Sequence, residues 1–144
     1  MPSDFYTLAG YQRQEPEGLT ASMEDYLEMI CRCSEKNQPI RIHTLAEKLN
    51  VRPSSASKMA GHLKLAGMVE FEPYGIVQLT EQGRKKGAEL LQRHQLLYEF
   101  FCLLNKNQDQ LEQVEKIEHF IHPDTLNNLK LLVKKMEQDP DYHR

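Results

Sequence analysis

The stretch LAEKLNVRPSSASKMAGHLKLAG, residues 45–67, constrains the fold most. Pro53 lacks a backbone N–H and clashes with a preceding helical turn, so this segment cannot be one helix. A proline does fit the first position of a new helix. Before it, Leu45, Ala46 and Leu49 form an apolar inner face, and Thr44 with Glu47 reads as a capping box. Asn50-Val51 reads as a tight turn. After it, Met59, Leu63 and Leu65 are expected to face inward, and Gly67 to stop the helix. Two short helices separated by a three-to-four-residue turn make a helix-turn-helix.

The flanking sequence extends this unit. VEFEPYGIVQLT places strand-forming Val69, Phe71, Ile76, Val77 and Leu79 around a Pro73-Tyr74-Gly75 turn, a small hairpin or wing. Upstream, a helix from about Thr20 to Lys36 carries an apolar stripe of Met23, Leu27, Ile30 and Cys31, with Tyr26 beside it. Downstream, Thr80 caps a long helix from about Glu81 to Leu104. Its run AELLQRHQLLYEFFCLL is apolar on more than one face, so it is expected to pack against both halves of the chain or a partner subunit. A further helix opens at Asp109 and Glu112, read as a second capping box, and ends near His122-Pro123. The last runs from about Asp124 to Glu137. The fold class is mainly α: an N-terminal winged helix-turn-helix and a C-terminal all-helical domain. The expected division is an arm at 1–19, pinned by Phe5, Tyr6, Leu8 and Tyr11, then units at 20–80 and 81–144.

Charge separates the two units. The net charge of −3 argues against nucleic acid when taken alone. From Lys36 to Arg93, however, ten Lys/Arg face five Asp/Glu, while the remainder holds eight against sixteen. A basic middle between acidic ends suggests two tasks on one chain. No apolar run approaches the roughly 20 residues of a bilayer span, and the N-terminus has no leader pattern, so the cytoplasm is expected and a membrane partner is not. Cys31 and Cys33 lie two apart on a helix and point apart; with Cys102 they make neither a zinc pattern nor an easy disulfide.

In a helix-turn-helix the second helix enters the major groove of double-stranded DNA with its first residues leading. Here these are Pro53, Ser54, Ser55, Ser57 and Lys58, with Arg52 just before. Small hydroxyl side chains permit close approach, and Arg52, Lys58 and Lys64 can neutralise phosphates. Tyr74 at the wing tip is placed to touch the adjacent backbone.

The acidic segments carry a second pattern. VEKIEHFIHP sets Glu115, Glu118 and His119 at i, i+3 and i+4, which stacks them on one helix face. MEDYLEM sets Asp25 and Glu28 at i, i+3, with Glu24 off that face. LLQRHQLL places His94 within an apolar stretch. Each has an ordinary reading: carboxylates favouring a helix N-terminus, solvated surface, a hydrogen-bonded core histidine. If the three helices converge, oxygen and imidazole donors without thiolate suit Mn(II) or Fe(II), with Zn(II), Co(II) or Cd(II) as substitutes in other geometry. Four carboxylates match the charge of two divalent cations per subunit.

Taken in order, SMEDYLEMI, VRPSSASKM, LLQRHQLL and VEKIEHFIH resemble the manganese-responsive repressors of the diphtheria toxin repressor family. The likeness covers about residues 20–138. It implies a homodimer that binds operator DNA with Mn(II) as corepressor and controls manganese uptake, with no organic cofactor. It also implies that Asp25, Glu28, His94, Glu115, Glu118 and His119 are metal ligands. The iron-responsive branch has softer sulfur donors at key positions, where this chain has Asp25 and Glu115. His122 lies outside the matched motif. The alternatives are an iron-responsive or metal-independent winged-helix regulator and, from another class, a di-metal carboxylate enzyme. The last needs paired Glu-x-x-His motifs, which this chain lacks, so no enzymatic activity is expected.

Overall fold

The computed structural model describes residues 6–14, 18–72 and 75–143. A short helix α1 (Leu8–Gln14) precedes α2 (Ala21–Glu35), α3 (Ile42–Leu49) and α4 (Pro53–Leu65). The two-residue strands β1 (Val69–Glu70) and β2 (Gln78–Leu79) pair antiparallel, Val69 opposite Leu79. Then come the long α5 (Glu81–Asn105), α6 (Leu111–Ile117), a 3-10 turn at Glu118–Phe120, α7 (Pro123–Gln138) and a closing 3-10 turn at Pro140–Tyr142.

Local chemistry sets most boundaries. The Thr20 hydroxyl accepts from the Met23 N–H at 3.1 Å and opens α2. Pro53 occupies the first turn of α4, where its missing N–H costs nothing. Gly67 takes φ +80°, a left-handed conformation that turns the chain from α4 into β1. Asn50 does the same between α3 and α4 at φ 55°. These helices, the hairpin and α2 share one core. Leu27, Leu45 and Leu63 are completely buried in it, and Ile30, Val69 and Leu90 nearly so. Each such side chain contributes about 1.5–3 kcal/mol of burial energy.

Several sequence expectations are corrected. α3 starts at Ile42, not Thr44, because Ile42 packs against the core and draws the first turn back. Thr44 and Glu47 therefore lie inside the helix and form no capping box. In α4 the inward face is Ala56, Ala60 and Leu63, spaced i, i+4, i+7, while Leu65 is 88% exposed. α6 starts at Leu111 with Gln110 in the cap position and no side-chain cap. The Asp109 N–H instead donates to the Asn107 side chain, so Asp109 and Glu112 are no capping box either. α6 also ends at Ile117, well short of His122-Pro123. Part of the arm is helical, yet Tyr6, Leu8 and Tyr11 remain largely exposed, with Tyr6 and Tyr11 packed edge-on against each other. Phe5 and the Pro73-Tyr74 part of the wing turn lie outside the described residues.

α5 joins the halves. Its buried positions, Gly83, Gly87, Leu90, His94 and Leu97, recur every three or four residues and make one stripe. Within that stripe Gly87 lies against Cys31 of α2, Gly83 against Met68, and His94 against Glu115 and Glu118, while α7 also packs on α5. At its start the Thr80 hydroxyl donates to the Gly67 carbonyl at 2.6 Å and accepts from the Gly83 N–H at 2.9 Å. A Cβ on Gly83 would lie 1.9 Å from the Met68 carbonyl oxygen, so only glycine permits this approach. Gly83→Ala is therefore expected to destabilise the protein by at least about 2 kcal/mol. Denaturant unfolding checks this; an unchanged midpoint would show that α5 does not depend on that approach.

Candidate metal centre

Asp25 and Glu28 project from the first half of α2, one turn apart. His94 comes from the middle of the buried stripe of α5. Glu115 lies in the last turn of α6, and the 3-10 turn that follows carries Glu118 and His119. The three acidic-segment residues thus do not share one regular helix, as their spacing suggested. The tighter turn after Ile117 carries Glu118 inward until it is fully buried. All six residues nevertheless converge. Donor atoms of Glu28, His94, Glu115 and Glu118 lie within 4.8 Å of one another, and so do those of Asp25, Glu118 and His119. Glu118 belongs to both groups.

Contacts within the cluster are close. Glu118 Oε2 accepts from His94 Nδ1 at 2.7 Å, and Glu115 Oε1 lies 3.8 Å from the same nitrogen. His119 Nε2 is 2.8 Å from Asp25 Oδ1 and 3.9 Å from Glu118 Oε1. Among the described residues, Glu28 Oε1, Glu118 Oε1, His119 Nε2 and Arg93 Nε are buried without an aligned hydrogen-bond partner. Such orphaned atoms are costly, and most buried polar groups avoid the condition. Here three of the four belong to the candidate ligands.

The electrostatics fit this picture. Burial, reinforced by the neighbouring Glu118 carboxylate, pushes the Glu28 carboxyl up to about 8. Burial would also raise Glu118, but hydrogen bonds from His94 and Glu28 outweigh it and hold this carboxylate below its usual range. Of the two acids, Glu28 is thus the one whose charged form is disfavoured. Burial and Glu118 raise Glu115 as well. Burial alone would lower His119, yet Asp25 and Glu24 overcome that and hold the ring up to about 10. Protons do what a cation would otherwise do: they keep like charges tolerable. Oxygen and imidazole donors, orphaned buried atoms and crowded carboxylates together suit a hard or borderline divalent ion.

Two participants escaped the sequence reading. Glu24, set aside as off the ligand face, is 8% exposed and sits at the cluster. Its Oε1 is 2.9 Å from His119 Nδ1 and 3.3 Å from Arg93 Nη2. Burial would raise Glu24, but His119 and Arg93 hold it below its ordinary value. Arg93 also lies 3.6 Å from Glu28 Oε1. The available signals were the breadth of the buried face of α2 and a lone arginine beside His94 in an apolar run.

Arg52, Pro53, Ser54, Ser55, Ser57 and Lys58 are all exposed along the leading end of α4. Lys64 is exposed too, but its amine donates to the Phe71 carbonyl at 3.0 Å and sits 5.2 Å from the Phe71 ring centroid. It tethers the wing to α4, and so is less free for phosphate than its sequence position implied. Tyr74 lies outside the described residues.

Residues 18–77 match the family model described as the iron dependent repressor N-terminal DNA binding domain. Residues 80–144 match the iron dependent repressor metal binding and dimerisation domain. The HTH-type transcriptional regulator MntR of Lysinibacillus sphaericus is 36% identical over 123 residues, covering 85% of this chain and 88% of its own. The chain belongs to the iron dependent repressor family. Its relatives are transcriptional regulators, which removes the di-metal enzyme reading. Among solved structures, the manganese regulator SloR matches 81% of the chain with a TM-score of 0.69 at 27% identity. A manganese-dependent transcriptional repressor complexed with manganese matches 78% with a TM-score of 0.70, also at 27% identity. The chain spans only 55% and 52% of those two structures' lengths. Among the described residues, no helix of this family member is long and apolar enough to cross a membrane.

Because Glu28 and His119 hold protons at neutral pH, a divalent cation taking their place must release them. Apparent affinity for Mn²⁺ should therefore rise with pH over roughly pH 6 to 8. Calorimetry in buffers of different ionisation enthalpy checks this; heats that do not depend on the buffer would contradict it.

Proposed function

We propose that this chain is a metal-dependent transcriptional repressor with Mn(II) as corepressor, two ions per subunit, acting on operator DNA as a homodimer to control manganese uptake. The convergence of six oxygen and nitrogen donors from three separate parts of the chain carries this reading. Glu28, His94, Glu115 and Glu118 would hold one ion. Asp25, Glu118 and His119 would hold the other, with Glu118 common to both. The absence of sulfur from the donor set favours Mn(II) over the softer ions, though Fe(II), Co(II), Zn(II) and Cd(II) are expected substitutes. The manganese-related names of the relatives support the same choice.

In this reading residues 20–80 form the DNA-binding unit and 81–144 the metal-binding and dimerisation unit, with 1–19 an arm. Arg52, Pro53, Ser54, Ser55, Ser57, Lys58, Lys64 and Tyr74 would meet DNA. The exposed Leu104, Leu111, Phe120, Leu131 and Leu132 on the C-terminal half support burial against a second copy.

The bound metal supplies divalent positive charge among carboxylates that otherwise repel. The chain does the rest. Asp25 and Glu28 sit on α2, whose other face carries Leu27 and Ile30 into the core shared with α3 and α4. Drawing Asp25 and Glu28 towards His94 and Glu118 fixes α2 against α5, and α2 carries the recognition helix with it. Metal then raises DNA affinity only through its preference for that pose, and DNA must tighten metal reciprocally.

Mn²⁺ is expected to tighten operator binding roughly 5- to 150-fold over a chelated sample. Fluorescence anisotropy measures it, and equal affinity in both samples would reject the reading. Glu115→Ala and His119→Ala should each lose much of that response while the protein stays folded and dimeric. Full metal-dependent binding in both variants would count against the site.

A further inference from the structure

We propose that Glu24 is a positioning residue for the metal centre: it fixes the His119 ring so that Nε2 faces Asp25 and Glu118, while Arg93 holds Glu24 in place. This rests on the cluster being a cation site. Glu24 precedes Asp25 on α2 and is itself buried, yet it belongs to neither group of converging donors. It touches the far side of the ring. Its Oε1 lies 2.9 Å from His119 Nδ1, while His119 Nε2 lies 2.8 Å from Asp25 Oδ1 without an aligned hydrogen bond.

The chemistry of the three groups determines which nitrogen carries the proton. An ionised carboxylate only accepts, so Nδ1 facing Glu24 must donate. Nε2 faces the Asp25 carboxylate in the same way, so the ring gives up a lone pair only where a cation takes the place of its Nε2 proton; with Nδ1–H held by Glu24, that lone pair sits on the side of Asp25 and Glu118. A ligating histidine that donates its other N–H to a carboxylate is held in orientation and made a stronger donor. Arg93 makes the arrangement sharper. Its Nη2 lies 3.3 Å from Glu24 Oε1 and 3.2 Å from His119 Nδ1. A guanidinium only donates. With Glu24 present, Arg93 is satisfied by the carboxylate. Without Glu24, its N–H is left facing Nδ1 at 3.2 Å, nearer than Glu28 Oε1 at 3.6 Å, so an accepting Nδ1 is favoured and the proton of the neutral ring moves to Nε2. The same nitrogen is then blocked towards a cation. Glu24 therefore sets the tautomer, and Arg93 penalises its loss.

The test uses the full-length chain. Free Mn²⁺ is counted by electron paramagnetic resonance, and the His119 tautomer is read by ¹⁵N NMR with Cd²⁺ as a diamagnetic probe. Glu24→Ala should weaken one of two Mn²⁺ ions by roughly 10- to 100-fold and leave the other essentially as in wild type. His119 should lose its Nδ1–H, Nε2–metal signature while His94 keeps its metal-bound signal. Glu24→Gln retains an acceptor oxygen; it should keep the His119 signature with a smaller loss, and it serves as the probe if the alanine variant fails to fold. Wild-type Mn²⁺ affinity and an unchanged His119 tautomer in Glu24→Ala would overturn the assignment. If instead wild type takes up no Mn²⁺, or His119→Ala binds it as wild type does, the cation site itself fails and the role of Glu24 falls with it.

Discussion

Everything in this molecule turns on a carboxylate, Glu118, that is wholly buried and still shared between two groups of donors. A lone ion there would be prohibitive, because desolvation costs several kcal/mol even after relaxation. Hydrogen bonds from His94 and Glu28 make it tolerable, and they do so only because α2, α5 and the turn after α6 are packed together. The centre is therefore a condition on the tertiary fold as much as a product of it. Its components cannot be satisfied separately.

That condition links the centre to the DNA-binding half through rigid parts. α2 has two roles: its acidic side builds the centre, and its apolar side supplies Leu27 and Ile30 to the winged-helix core. α5 is anchored at its other end, where Thr80 bonds to the Gly67 carbonyl and Gly83 abuts Met68. A shift of α2 relative to α5 thus cannot be absorbed at a loose joint. Packed interiors transmit such shifts rather than dissipating them. The exposed Ser-rich edge of α4 lies at the far end of that path.

Charge is arranged with the same economy. Arg93 is the cation nearest the acidic cluster, and it serves Glu24 and approaches Glu28. A fixed positive group beside crowded carboxylates reduces their repulsion without competing for their full coordination. Lys64 is likewise committed to the Phe71 carbonyl, tying the wing to α4. Formal charge counts treat both residues as free; geometry gives each a structural partner.

The sequence by itself determined the elements and their order. Pro53, Gly67 and the threonines at 20 and 80 act through local backbone chemistry, which needs no tertiary partner, and so the helix-turn-helix, the wing and the long helix were legible. Capping-box spacing misled at Thr44 and Asp109, because packing of Ile42 and the use of Asn107 by the Asp109 N–H overrode it. The six donors could be named from their chemistry and spacing, and their family resemblance suggested a shared role. Whether they meet was not legible: Asp25 and His119 are separated by most of the chain, and only the docking of α2 on α5, with the 3-10 turn that buries Glu118, brings them together. Glu24 and Arg93 went unnoticed for the same reason. Each stands next in sequence to a candidate ligand, Asp25 or His94, about 100° round its helix from it, and only the neighbouring elements in three dimensions turn them into partners of His119.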